Sequence, residues 1–554
     1  MRAVPLLSVA FALLFATRAA AGATCYALRP TEAGAERSYA GAPAMVFDTP
    51  EGNVRVWYAL EGPHAPEGTV AAPTPTAVLA AGAAAESALT RFGAMGFRLP
   101  LHDGPDSPCS DTGGDARLDI YLYDFGSADG TVVLDQCVEV GTERCAGFAV
   151  VENDFKNKGY RSPTEGFQTV VPHELFHLVQ YAYSTTSEAW WAEGTAQWAA
   201  KNVFPELDDL EGFLPAFFQR TDRPLDFPPV GAAASFSYGA AIWPVFLTER
   251  FDAPVVRGVF EALGEGASGA LDAVDSTLLG EGASLDGAFT EFATWNLGTG
   301  IRAGSSGYAS AARYPEVTLE ELPDLVPSKA VGALAGLSAR YFHFPGGERR
   351  HLEVAGDATR LSARFVPLVE KEARIGEVKE LPLDTSNAGI LVLSGRARDH
   401  RDVSFTIRVD EAFEPTDDTS NGGAANGGTA SAGAVGASVN AAGAGEMAGS
   451  GGTAEVSQGE GGMDEVAEPP TPSDGGAPTV GEAATPARPR SSGGCTTVPA
   501  SLPRPSSTTI LVSLGVGVGL GRLAARTWLR RAASQDRSGR RAQTPPGGAF
   551  EYRH

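Results

Sequence analysis

Cysteine, histidine and long apolar runs are all scarce in this chain, and each scarcity narrows what the chain can be. Only five cysteines occur in 554 residues, and no two stand as C-x-x-C, so a cysteine-based zinc cluster is excluded as the organising element. No segment holds the twenty or so consecutive apolar residues of a comfortable membrane span. Basic residues are outnumbered, with 43 Lys and Arg against 67 Asp and Glu. The resulting net charge of -24 argues against nucleic acid as a partner, because phosphate binding needs a basic face. No D-x-[DN]-x-[DN]-G loop is present. Glu152-Asn153-Asp154 offers hard oxygen ligands for calcium, but a solvated turn after a strand accounts for it as well.

The two ends of the chain speak for export. Arg2 and an apolar run from Val4 to Ala16 precede the small-x-small pattern Ala21-Gly22-Ala23, which reads as a signal peptide over residues 1–23. Four cysteines in the folded part, in an oxidising compartment, predict two disulfides. Cys137 with Cys145 and Cys25 with Cys109 is the favoured pairing of the three available. Residues 414–506 are dominated by Gly, Ala, Ser, Thr and Pro and cannot bury enough apolar surface to order themselves, so a disordered stalk is expected. Cys495, an uncharged stretch of about fourteen residues from Thr508, and the arginines 522, 526, 530 and 531 follow. The layout resembles the Cys–apolar–Arg sorting tails of some bacterial surface proteins. An ordinary anchor helix over 507–531, with a polar tail over 532–554, is the other reading. Either attaches the chain to the membrane through its C-terminus and makes it a secreted or cell-surface protein of a bacterial envelope.

Between the ends, apolar periodicity predicts strands within residues 44–62, at Leu118–Tyr123 and at Ala146–Glu152. Helices are expected at Thr76–Phe97, from Ser162-Pro163 to Tyr183, from Ser187 to about Lys201, and through Phe236–Trp295. From residue 313 to 413 the pattern changes to short alternating strands such as Tyr341–Phe344 and Val403–Ile407, which predicts a small all-β, sandwich-like domain.

The segment with chemistry is Val171-Pro172-His173-Glu174-Leu175-Phe176-His177-Leu178. Histidines at i and i+4 share one helix face and can bind one ion, while Glu174 is turned toward a metal-activated water. Pro172 removes one helix hydrogen bond and predicts a kink. Trp191-Ala192-Glu193-Gly194-Thr195-Ala196 lies on the next helix, with Glu193 sixteen positions after His177. Glu193 can supply the third protein ligand that a zinc hydrolase needs beside an open fourth position. Which groups orient the imidazole rings is not identifiable from the residues alone.

The H-E-[FL]-F-H and W-x-E-G-x-A segments resemble the gluzincin metallopeptidases, most of all secreted bacterial ones including hyicolysin-like enzymes. The resemblance covers about residues 44–300. It implies an α+β zincin-like catalytic domain over 24–312, with Zn2+ held by His173, His177 and Glu193 and with Glu174 as general base. It also implies an edge strand lining the cleft, for which Ala146–Glu152 is the candidate, and an oxyanion-stabilising Tyr or His after the third ligand, for which Tyr238 is the candidate. A protein or peptide is the expected substrate. With no G-x-M-x-N element to hold a substrate amine, endopeptidase action is favoured over aminopeptidase action. A surface adhesin with a structural zinc site is the competing reading. Glu174 separates the two, since a structural site has no use for a non-ligand carboxylate beside its metal.

Overall fold

In the computed structural model the described residues are 24–412, without 26–27, 69–72, 103–112, 141, 229–233, 253, 323–326 and 397. The signal peptide, the Cys25–Cys109 pairing, the stalk, Cys495 and the C-terminal segments therefore lie outside the described residues. Among the described residues, no helix is long and apolar enough to cross a membrane.

The fold is mixed α+β with several sheets. Strands β1 (Thr24–Cys25), β2 (Ala44–Asp48) and β3 (Val54–Ala59) are followed by helix α1 (Thr76–Ala94), then β4 (Leu118–Tyr123), β5 (Gly130–Val140) and β6 (Thr142–Glu152). The helices α2 (Pro163–Tyr181), α3 (Ala189–Val203), α4 (Asp209–Phe218), α5 (Ala234–Gly239), α6 (Ile242–Phe251), α7 (Pro254–Gly264), α8 (Ala270–Gly280) and α9 (Leu285–Leu297) come next.

The first six strands form one sheet in the order β1-β5-β6-β4-β3-β2. Its period-two pattern sorts side chains onto two faces. Val54, Val56, Ile120, Leu122, Val132, Ala149 and Val151 point into the large core shared with α1 and α2. Tyr121, Phe148 and Val150 point to the other face, which Tyr39 covers. Helix α1 meets the sheet through Val78, Ala81, Ala85, Ala88 and Phe92, one stripe at helical spacing.

The expectation of an edge strand at Ala146–Glu152 is not met. Those residues are the second half of β6, which pairs with β5 antiparallel on one side and with β4 parallel on the other. An interior strand has no free ladder to offer a substrate. The outer position falls to β5, whose far side is paired by β1 only at Gln136 and Cys137. The favoured disulfide is present: Cys137 and Cys145 face each other across β5 and β6 and are bonded.

Arg29 fastens the N-terminal segment to this sheet. Its guanidinium is fully buried and meets Asp119 at 2.5 Å and Asp135 at 2.6 Å. It also lies over the Phe148 ring and donates to the Tyr121 hydroxyl at 3.2 Å. Asp135 is the extra residue of a bulge between Leu134 and Gln136, which aims its carboxylate at the arginine.

The remaining strands are β7 (Glu320–Glu321), β8 (Ser328–Leu334), β9 (Ala339–Phe344), β10 (Arg350–Gly356), β11 (Leu361–Val369), β12 (Glu372–Ala373), β13 (Lys379–Glu380), β14 (Leu383–Thr385), β15 (Gly389–Gly395) and β16 (Val403–Glu411). They make two sheets, β14-β10-β16-β8 and β12-β11-β15-β9-β7 with β13 beside β11. Phe342, Phe365, Leu391 and Leu393 from one sheet and Leu352, Phe405, Ile407 and Val409 from the other fill the core between them. Strand β15 is buried on both faces: Ile390 and Val392 turn outward and join the helical core, where the Tyr341 hydroxyl donates to the Ala293 carbonyl at 2.8 Å.

Arg29→Met would deprive two buried carboxylates of their shared cation. Losing one member of a buried ion pair costs about 3–5 kcal/mol. The expected result is a lower urea midpoint with an unchanged slope; an unchanged midpoint would show that Asp119 and Asp135 are satisfied without the guanidinium.

Candidate metal centre

Helix α2 starts where the sequence predicts. The Ser162 hydroxyl accepts from the Glu165 amide at 3.1 Å, and Pro163 takes the first helical position, where a missing N–H costs nothing. The helix runs on through Pro172 to Tyr181. Its motif segment is wholly buried. Phe176 packs edge-on against Phe92 and Phe97, and Phe97 and Phe176 both lie against Trp198 of α3 and Phe260 of α7. Helix α3 returns beside α2 after a seven-residue connection, residues 182–188. Gly194 lets α3 come close to the turn between α5 and α6: a Cβ there would stand 3.2 Å from the Ala241 backbone nitrogen.

Three side chains converge as a result. The Nε2 atoms of His173 and His177 are 3.2 Å apart. Oε2 of Glu193 stands 3.3 Å from the first and 3.5 Å from the second. Ligands about 2.0–2.1 Å from a tetrahedral ion are about 3.3 Å from one another, so the three atoms form one face of such a tetrahedron. Among the described residues, no other three His, Cys, Asp or Glu side chains gather in this way.

The imidazoles are held by amides. Nδ1 of His177 is 3.0 Å from Oε1 of Gln180, and Nδ1 of His173 is 2.8 Å from Oε1 of Gln197. Which amide atom faces the ring follows from the opposite end. Gln180 Nε2 donates to the Ala192 carbonyl at 2.8 Å and to Thr195 Oγ1 at 3.1 Å, and Gln197 Nε2 donates to the Asp209 carboxylate. The oxygens therefore accept from the rings at Nδ1, which leaves both Nε2 atoms directed at the common centre. These partners were missed in the sequence. The signal was there: Gln180 is three residues after His177 and Gln197 four after Glu193, each on a helix face that carries one of the three converging residues.

When no metal is bound, burial opposes a charge on His177, yet the facing Glu193 carboxylate outweighs it and raises the pKa to about 9. Burial would raise Glu193 too, but the His177 charge and hydrogen bonds from both imidazoles hold it well below the usual carboxylate range. A proton and any metal ion bound by these three atoms would thus compete for the same place.

Glu174 is fully buried and is not one of the converging groups. Its carboxylate lies against the start of β5, where a Cβ on Gly130 would stand 2.8 Å from Oε1. Tyr238, from α5, stacks between His173, with ring centroids 5.8 Å apart, and Phe213, at 4.9 Å. The Glu152, Asn153 and Asp154 side chains make other contacts. Glu152 accepts from the Phe125 amide and lies 3.3 Å from the Lys158 ammonium, Asn153 donates to the Pro63 and Ala65 carbonyls, and Asp154 accepts from the Lys156 amide. His343, His351 and His400 pair with the carboxylates of Glu321, Asp384 and Asp226.

No protein-family model matches the chain, and no curated protein is similar to it.

Removing an outer partner of a ligating histidine weakens metal binding by about 10–100-fold. Gln180→Leu and Gln197→Leu are each expected to do so in a chelator competition assay with zinc. Wild-type affinity in both variants would show that packing alone orients the rings.

Proposed function

We propose that the chain is an exported zinc peptidase of the gluzincin type, with Zn2+ held by His173, His177 and Glu193 and with Glu174 as general base. The observation that carries this reading is the three-atom convergence with a non-ligand carboxylate one residue from the first histidine. The donor set supports zinc over calcium or magnesium, which take oxygen ligands. A zinc ion there would act as a Lewis acid, lowering the pKa of a water toward about 7 and polarising a carbonyl.

The chain's own residues do the rest. Glu174 accepts a proton from the attacking water as its oxygen bonds to the peptide carbonyl carbon. It returns that proton to the amide nitrogen as the C–N bond breaks, leaving a carboxylic acid and an amine, and the remaining water proton then passes from acid to amine to give carboxylate and ammonium. Burial of Glu174 keeps competing water from the proton in transit. Gly130, having no side chain, leaves the carboxylate its room against β5. A substrate strand would run beside the start of β5, not β6, in the manner of strand addition. The mixed sheet over α2 is compatible with a zincin-like catalytic part, and the last two sheets with a β-sandwich. The Cys137–Cys145 bond is compatible with an oxidising, extracellular setting.

The test is zinc content and casein hydrolysis by the full chain, wild type beside Glu174→Gln. Zinc is expected to stay while hydrolysis falls by about 10²- to 10⁴-fold, the usual worth of a general base. Equal hydrolysis by both proteins removes Glu174 from the mechanism. Gly130→Ala pushes a methyl group into the Glu174 carboxylate, and misplacing a catalytic group by about 1 Å costs up to about 100-fold. Its kcat should fall with zinc retained; a wild-type kcat would mean that the carboxylate can shift without loss.

A further inference from the structure

Lys158 stands in the connection between β6 and α2, and its ammonium sits in a cage of oxygens. Nζ donates to the carbonyls of Phe125 at 2.7 Å and Ala128 at 2.9 Å. It lies 3.3 Å from the Glu152 carboxylate and 3.6 Å from that of Asp129. Two carbonyls and two carboxylates are ligands that a hard cation such as calcium takes, and here the chain supplies the positive charge itself. The cage is tied at its corners. Glu152 also accepts from the Phe125 and Asn153 amides, and its own amide donates to the Asp129 carbonyl. The Asp129 carboxylate accepts from the Tyr160 hydroxyl at 3.0 Å. Burial pushes both carboxyls up and the nearby ammonium opposes the shift.

Two paths lead from this cage to Glu174. Along the first, Ala128 and Asp129 run directly into Gly130, which lies against the Glu174 carboxylate. Along the second, the segment that carries Lys158 is fastened to α2, the helix of Glu174. Phe155 has a φ of +51°, a conformation that a bulky residue adopts only where its surroundings impose it. Its ring stands edge-on to Tyr160 and to Phe167 of α2, over Gly166, where a Cβ would run into it. The ammonium thus closes a circuit that leaves α2 through residues 155–158 and returns to it through residues 125–130.

We infer that Lys158 is a positioning residue for the reaction, whose ammonium holds residues 125–129 so that Gly130 keeps Glu174 aimed at the attacking water. The inference rests on the peptidase reading above. A neutral side chain of similar length would fill the space, but it would leave two carbonyls without a donor and two buried carboxylates without a counter-charge. The 125–129 segment would then relax, and the base would move with Gly130.

The experiment compares Lys158→Met, Lys158→Cys and wild type in the full chain, each before and after treatment with bromoethylamine. The reagent converts the introduced thiol into a thioether analogue of lysine, which restores the ammonium. The Lys158 side chain is 13% exposed, enough for the reagent to reach this position, and the mass of the protein reports the conversion. Zinc content, melting curve, and kcat and KM on casein are measured. Both variants should keep their zinc and a cooperative melting transition and hold KM within about threefold. Their kcat should fall about 100-fold, the cost of misplacing a catalytic group by about 1 Å. Alkylation should return Lys158→Cys to within about threefold of the wild-type kcat and leave wild type and Lys158→Met as they were. A wild-type kcat in Lys158→Met overturns the inference, and so does a loss in Lys158→Cys that the restored ammonium does not repair. Variants that lose their zinc or their fold overturn it too, because the lysine then serves the whole structure and not the aim of one carboxylate. In each of these cases hydrolysis by wild type leaves the peptidase reading standing, whereas a zinc-loaded wild type that hydrolyses nothing sinks both.

Discussion

A carboxylate and two imidazole nitrogens, brought within 3.5 Å of one another where water barely reaches, set the terms for everything around them. Buried anions and lone pairs pointed at each other repel or lie unsatisfied unless a cation stands between them. A proton on His177 meets the need when nothing else does, and a divalent ion meets it better, because it satisfies all three atoms at once. The surrounding structure keeps the three atoms together at the expense of alternatives that would separate them.

That structure is two-layered. The outer layer is aromatic: Phe97, Phe176, Trp198 and Phe260 interlock α2, α3 and α7. Close packing of rings resists small displacements, so the helices cannot drift apart by the ångström that would loosen the ligands. The inner layer is polar and works on orientation. Gln180 touches His177 with its oxygen and the Ala192 carbonyl with its nitrogen, so one amide both orients a ligand and fixes α3 at the residue before Glu193. At two places the layers meet backbone instead of side chain, at Gly194 against Ala241 and at Gly130 against Glu174, and there glycine is the residue that fits.

Much of this was legible in the sequence, and what was not has a common cause. The motif helix, its Ser162-Pro163 start, the return helix with Glu193 and the Cys137–Cys145 bond all depend on residues close along the chain. The position of Ala146–Glu152 in the sheet does not: periodicity marks it as a strand, but its neighbour β4 lies across a crossover and pairs in parallel. Arg29 is hidden for the same reason, since its partners lie 90 and 106 residues away and an isolated arginine reads as surface. Gln180 and Gln197 sat on the right helix faces, yet an amide on a helix has no distinguishing chemistry until an imidazole is seen at its oxygen.

The choice of amides has an electrostatic consequence. Around a dication, Glu193 and Glu174 already supply two negative charges in a dry site, which balances it. Carboxylates in place of Gln180 and Gln197 would leave the pocket with excess negative charge, at a cost that the low dielectric magnifies. They would also make the imidazoles stronger donors and the ion a weaker Lewis acid. On the His173 side, the Asp209 carboxylate is bonded to the nitrogen of Gln197, the amide whose oxygen meets the ring. Under the proposed reading, neutral partners would fix the tautomers and leave a bound ion its full pull on a substrate.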